Sequence, residues 1–304
     1  MSRVALAGAA CLSLSLAAAG AGRAQSPPAV AVPPAAVAFV PRDDSAIPDD
    51  ELGRQIRLGR TIFTDTARAA PGSVGNDLKC SNCHLDAGRR ADASPLWGAY
   101  GMFPQFRAKN GHVNTFAERL RECFMYSMNG RAPAYGGPEL TALESYAAFL
   151  ARGAPIGIRL PGQGYPKLDK PGQAPDRERG KAVFTANCAL CHGDDGAGRK
   201  AGDEVLFPPL WGPRSYNWGA GMARINNAAA FIKANMPQNQ PGLLTLQQAW
   251  DVAAYIDGKP RPQDPRYAGS AAETRRRFQN DPQSLYGLKV DGQVLGGDGP
   301  PRRR

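Results

Sequence analysis

Four of the six cysteines and two of the three histidines fall into two copies of one pattern, Cys80-Ser81-Asn82-Cys83-His84 and Cys188-Ala189-Leu190-Cys191-His192. Two thiols three positions apart lie on one helical turn, where they can form thioethers to the two vinyl groups of a single haem. The histidine that follows then faces the iron as its proximal ligand. Zinc or redox use of the same Cys pairs would leave the following histidine unexplained twice. The spacing therefore predicts two covalently bound haem c groups, attached through Cys80, Cys83, Cys188 and Cys191 and ligated by His84 and His192.

The opposite side of each iron decides between electron carriage and catalysis. In the second half, Met236-Pro237 follows a helical run and precedes another. The proline stops the helix and fixes a loop that can present a thioether to iron. Met222 is the rival. In the first half, aligning Phe124 with Phe231 puts Met128 near the slot of Met236, and the unpaired Cys123 competes for it. His112, Met125 and Met102 are further candidates, and spacing alone leaves the choice open. The cations Arg107, Lys109, Arg119, Arg121 and Arg131 cluster in sequence around Cys123. They form either a solvated helix face or a positive setting for small anions.

These groups need elements to hold them, and the elements repeat. Gly59-Arg60-Thr61-Ile62-Phe63-Thr64 before the first motif matches Gly180-Lys181-Ala182-Val183-Phe184-Thr185 before the second. Pro95-Leu96-Trp97-Gly98 matches Pro209-Leu210-Trp211-Gly212 after them. Leu52, Ile56, Ile62 and Phe63 keep helical spacing behind Asp49, Asp50 and Glu51, which suit the positive end of a helix dipole. Leu140, Leu143, Ala147 and Leu150 close the first unit on one helical face. Leu246, Ala249, Trp250, Ala253 and Ile256 close the second. No run alternates as a strand would, so the fold class is all-α, resembling two class I cytochrome c domains in tandem with long loops. The predicted boundaries are 48–153 for the first domain, 154–176 for a Gly/Pro-rich linker, 177–260 for the second domain and 261–304 for a C-terminal extension of little structure.

The first 24 residues read as a cleavable signal peptide. Arg3 precedes an apolar run to about Ala19, and Gly22-Arg23-Ala24 offers small residues to a signal peptidase. The run is shorter than the roughly 20 residues that span a bilayer, so the expectation is an exported, periplasmic protein without a membrane span. Residues 25–47 form an Ala/Pro-rich linker. Cleavage removes Arg3 and Arg23 and no acid, which lowers the formal charge of +10 by two. The chain stays basic, which favours anionic ligands or acidic partners, and export argues against nucleic acid.

Cys80 to Gly88, Phe103-Pro104-Gln105-Phe106-Arg107, Arg119-Leu120-Arg121-Glu122-Cys123-Phe124 and Ser127-Met128-Asn129-Gly130 together resemble the dihaem thiosulfate dehydrogenases, from about residue 50 to 260. The resemblance implies a reaction that joins two thiosulfates through their outer sulfurs to give tetrathionate, with electrons passed to a periplasmic c-type cytochrome. It implies that Cys123 is the catalytic residue and the distal ligand of the first haem, and that Met236 is the distal ligand of the second. It points to Arg119, Lys109 and Ser127, and less directly to Arg107 and Arg131, as substrate-binding residues. Members commonly carry Arg where Lys109 stands, and Lys lacks the bidentate fork. The alternatives are a dihaem electron carrier, in which Met128 or His112 takes the first iron, and a SoxA-type sulfur-oxidation subunit that works only with a partner.

Overall fold

Each half of the chain is framed by two helices that cross. The computed structural model describes residues 38–297, so the expected signal peptide lies outside the described residues. In the first half, Glu51–Thr64 begins where the Asp50 carboxylate accepts the Gly53 N–H at 2.8 Å. This satisfies one of the amides that a helix start leaves without a partner. It packs on Pro138–Leu150, which opens with proline. In the second half, Arg177–Asn187, capped by Asp176, packs on Leu246–Asp257, which opens with a Thr245/Gln248 capping box. Ile56, Ile62 and Phe63 turn inward at 1–3% exposure, as do Leu140, Leu143, Ala147 and Leu150. Leu52, expected on the same stripe, sits in the first turn and is 44% exposed.

The matching glycines of the repeat occupy matching places. A Cβ added to Gly59 would lie 2.0 Å from Ala142 O, and one added to Gly180 would lie 2.0 Å from Asp251 O. In both halves, therefore, the backbone of the opening helix touches the backbone of the closing one. Only a residue without a side chain permits that approach.

Three short antiparallel hairpins escape the sequence pattern: Gln105–Arg107 with His112–Asn114, Arg199–Ala201 with Glu204–Phe207, and Lys289–Val290 with Gln293–Val294. Strands of two to four residues are too short to alternate visibly. The stretch after Lys259 also differs from expectation, because it is ordered and packed as far as residue 297. Ser270 caps a helix, Ala271–Phe278, and Tyr286 and Leu295 enter the core of the first half at 0% and 2% exposure. Among the described residues, no helix is long and apolar enough to cross a membrane.

Alanine in a helix is favoured over glycine by about 1 kcal/mol, whereas forcing a methyl into a filled contact costs about 1–3 kcal/mol. With backbone on both sides, the contact term wins. Gly59→Ala and Gly180→Ala should each lower the midpoint of thermal unfolding, and a raised midpoint in either variant would refute the close crossing.

Candidate functional site

In both halves the histidine is aimed by the same two hydrogen bonds. The His84 N–H donates to Cys80 O at 3.1 Å and the His192 N–H to Cys188 O at 2.9 Å, so each histidine closes a helical turn on the first cysteine of its motif. On the side chains, His84 Nδ1 lies 2.6 Å from Ser94 O and His192 Nδ1 lies 2.9 Å from Pro208 O. A carbonyl only accepts, so each Nδ1 carries the proton and each Nε2 keeps its lone pair for a metal. Burial lowers the pKa of both imidazoles and holds them in the neutral form that ligates. Ser94 and Pro208 immediately precede the two copies of Pro-Leu-Trp-Gly. That repeat supplies the carbonyls, and the residue before it was the signal that sequence reasoning passed over.

The cysteines suit thioethers better than free thiolates. Burial pushes the Cys80 thiol up to about 12, the Cys83 thiol up to about 11 and the Cys188 thiol up to about 12. Groups held that high are thiols at neutral pH, the form that adds across a vinyl group. Among the described residues, no three His, Cys, Asp or Glu side chains converge as a metal site would require. The donor set therefore fits covalent haem, with His84 and His192 available to hold iron.

The candidates for the opposite face separate by position. His112 is out of contention: it stands on a hairpin, 56% exposed, with Nε2 2.6 Å from a Glu118 carboxylate oxygen. Met128 is packed at 2% exposure in the first core, with its N–H on Cys123 O. Cys123 is half-buried and close enough to Cys80 and Cys83 for its charge to raise both of their thiols further, after burial. Met236 ends the helix Ile225–Asn235 in extended conformation. It packs both on the second core and on a small cluster of Leu85, Ala93 and Phe231. Met222 touches all three clusters of the molecule, as a packing methionine does.

Around Cys123 the predicted cations divide. Arg119, one turn back on the helix Phe116–Glu122, is held charged above all by the Cys123 sulfur beside it, and by Glu122, whose carboxylate is 3.5 Å away. Arg107 lies near enough for burial and Arg119 to lower its pKa, with Glu122 and Cys123 opposing. Lys109 is drawn elsewhere: its Nζ donates to Gly219 O at 2.6 Å and sits 3.6 Å from the centre of the Tyr126 ring. Burial, with Arg266 and Arg119 nearby, pulls its pKa down to about 7. Together with Arg121, Met125, Tyr126 and Arg266, Lys109 lines a cleft of about 340 Å³ that Cys123 does not reach. Ser127 is half-buried four residues beyond Cys123, and Arg131 is exposed. Tyr165, from the stretch expected to be a linker, is half-buried near Cys83, Arg119 and Cys123, which the sequence pattern did not foretell.

Comparison with known proteins agrees with this division. Residues 70–156 match the family described as SoxA/TsdA, cytochrome c domain, and residues 175–256 match that described as cytochrome c oxidase, cbb3-type, subunit III. The chain thus carries two cytochrome c domains, a type whose haem c is covalently bound. It is 52% identical to a thiosulfate dehydrogenase of Thiomonas intermedia over 88% of this chain and 85% of that one. It is 49% identical to a thiosulfate dehydrogenase of Stutzerimonas stutzeri over 85% of each. Among solved structures, it superposes on a thiosulfate dehydrogenase (TsdBA) from Marichromatium purpuratum with a TM-score of 0.82 at 51% identity, over 86% of this chain. It spans 58% of the length of that protein. With two haem-fitted histidines, an unpaired cysteine beside the first and relatives of this closeness over most of its length, the chain belongs to the thiosulfate dehydrogenase family.

Proposed function

We propose that this chain is a periplasmic dihaem cytochrome c, exported by residues 1–24, that oxidises two thiosulfates to tetrathionate and passes the electrons to a c-type cytochrome. The observation that carries the reading is the company of Cys123. It is a lone sulfur beside the first attachment motif, with Arg119 against it, while the competing His112 is held on the surface by Glu118.

When bound, the two haems supply two one-electron acceptors, the thiolate-ligated first lower in potential than the Met-ligated second. His84 and Cys123 would hold the first haem, and His192 and Met236 the second. The chain's own residues supply the sulfur chemistry. Oxidation joins Cys123 Sγ to the outer sulfur of one thiosulfate and releases two electrons. The outer sulfur of a second thiosulfate then displaces the Cys123 thiolate. The new sulfur–sulfur bond gives tetrathionate, and the bond to Cys123 breaks, restoring the starting thiolate. Both substrates are dianions and repel each other, so cations must offset that repulsion. Arg119 and Arg107 do so beside Cys123, Ser127 offers a hydroxyl, and Lys109 and Arg131 add charge at longer range. A packed connection joins the two sites: Leu85 adjoins His84, and the cluster it forms with Ala93 and Phe231 also packs Met236.

Two outcomes test this reading. In purified protein given thiosulfate and an artificial electron acceptor, Cys123→Gly should abolish turnover and the thiolate signature of the first haem, leaving the Met/His spectrum of the second. His112→Gln should change neither haem. Full activity in Cys123→Gly would remove Cys123 from the mechanism, a wild-type protein with neither thiolate signature nor turnover would be an electron carrier, and an inactive wild-type chain that keeps the thiolate signature would favour a partner-dependent subunit. Arg119→Met should lower kcat/KM for thiosulfate by about 10–100-fold, the range for losing a hydrogen bond to a charged group, with partial recovery in Arg119→Lys. An unaltered kcat/KM would remove Arg119 from the substrate site.

A further inference from the structure

Cys123 opens a π-helical segment, Cys123–Ser127, set at the end of an α-helix. Such a turn reaches five residues ahead for its hydrogen bonds, and here the Met128 N–H closes on Cys123 O at 2.9 Å. The next carbonyl, Phe124 O, is taken by the Gly130 N–H at 2.9 Å. The three carbonyls that follow are taken by two asparagines far away in sequence. Met125 O accepts from Asn217 Nδ2 at 2.8 Å, Tyr126 O from the Asn217 N–H at 3.2 Å, and Ser127 O from Asn76 Nδ2 at 2.8 Å.

Both asparagines use their full hydrogen-bonding capacity in this one place. Asn217 is 0% exposed; its second amide hydrogen goes to Asn129 Oδ1 at 3.0 Å, and its Oδ1 accepts the Gly219 N–H at 2.9 Å. Asn76 is 6% exposed; it also donates to Ser215 O at 3.2 Å and accepts the Leu78 N–H at 3.2 Å. A buried amide with both hydrogens and its oxygen engaged has one orientation, and it imposes that orientation on what it binds. The fit leaves no slack. A Cβ on Gly219 would lie 2.4 Å from the Tyr126 ring, and one on Gly75 would lie 2.1 Å from Asn129 O.

We infer that Asn217 and Asn76 are positioning residues for the sulfur of Cys123: by filling the carbonyls that the π turn frees, they fix the angle at which that sulfur meets the first haem. Asn217 lies in the second cytochrome domain, so the geometry of the reacting sulfur in one domain is set by the other. This rests on the reading of Cys123 as ligand and nucleophile. An ordinary packing asparagine would, when changed, lower the stability of the whole molecule. A positioning asparagine changes the first haem and spares the second.

The test uses the full-length holoprotein with Asn217→Leu, Asn76→Leu and Asn217→Asp. The last keeps the shape and the acceptor for Gly219 but replaces the amide hydrogens. Three readouts are taken: the thiolate signature of the first haem, the Met/His signature of the second as an internal measure of folding, and kcat and KM for thiosulfate. The expected result is a weakened or displaced thiolate signature and a kcat lower by about 10–100-fold, the usual cost of losing groups that orient a metal ligand. KM should change little and the second haem should be unaltered. Should a leucine variant fail to retain its second haem, Asn217→Asp decides by the same readouts. A wild-type thiolate signature and wild-type kcat in the variants that fold overturn the inference. If the wild-type protein itself lacks the thiolate signature, the reading of Cys123 fails instead, and the two failures are thereby told apart.

Discussion

An imidazole can offer one nitrogen steadily to iron only if the proton on its other nitrogen has a fixed acceptor. Both acceptors here are backbone carbonyls at the threshold of Pro-Leu-Trp-Gly, and much of the molecule exists to hold them still. Ser94 takes a left-handed conformation, φ 50°, which a serine adopts only when its surroundings compel it. Its N–H donates to Gly164 O at 2.7 Å, and two residues earlier the Asp92 N–H donates to Gly162 O at 2.7 Å. Asp92 O in turn accepts from Asn235 Nδ2 at 3.1 Å, and Asn235 is the neighbour of Met236. The carbonyl that holds His84 is therefore braced by the inter-domain stretch and by the helix that ends at Met236. In the second site, proline itself provides the carbonyl, and its fixed φ does part of the work that bracing does for Ser94.

From this common frame the halves diverge on the distal side. In the second, a helix stops at Met236 before a proline and leaves a neutral thioether among apolar neighbours, an environment that changes little with oxidation state. In the first, the corresponding helix runs on into a π turn whose first residue is a cysteine with a guanidinium beside it. Arg119, held charged above all by that sulfur, places a cation directly beside it. In the proposed reaction the same guanidinium would also draw anionic substrate toward the sulfur.

Much of this was legible in the sequence because it is local. Two CxxCH motifs, a glycine at each helix crossing and apolar residues at helical spacing are written within windows of a dozen residues. What was illegible is polar and long-range. The tail after Lys259 reads as a solvated, unstructured segment because of Arg261, Asp264, Arg266, Gln279 and Ser284. In the fold most of their polar atoms find partners. Arg266 pairs with Asp264 at 2.7 Å, Gln279 donates to Asp264 at 2.6 Å, Ser284 donates to Gln279 at 3.0 Å, and Arg261, wholly buried, donates to Ile256 O at 2.8 Å. Composition reports polarity but not pairing. The partner of Lys109 was illegible for a related reason: sequence proximity to Cys123 says nothing about which carbonyl its ammonium will find, here Gly219 O.

The stretch from Gly153 to Asp176 shows why two cytochrome domains in one chain need more than a tether. Ordering a residue costs about 1–2 kcal/mol of backbone entropy, and a flexible linker of this length would avoid that cost. Instead the stretch touches three hydrophobic clusters in turn: Leu160 packs on the first core, Tyr165 on the small cluster between the two ligand sites and Leu168 on the second core. Asp169 O then accepts from the Trp250 indole at 3.2 Å. In the proposed dihaem reaction, electron transfer depends on the separation of the two centres, and a two-electron oxidation with one-electron acceptors would have to move its first electron away before the reacting sulfur gives up the second. A floating second domain would make that separation variable. Packing the connecting chain across both cores fixes it, and the same packing lets Asn217 reach over and hold the turn that carries Cys123.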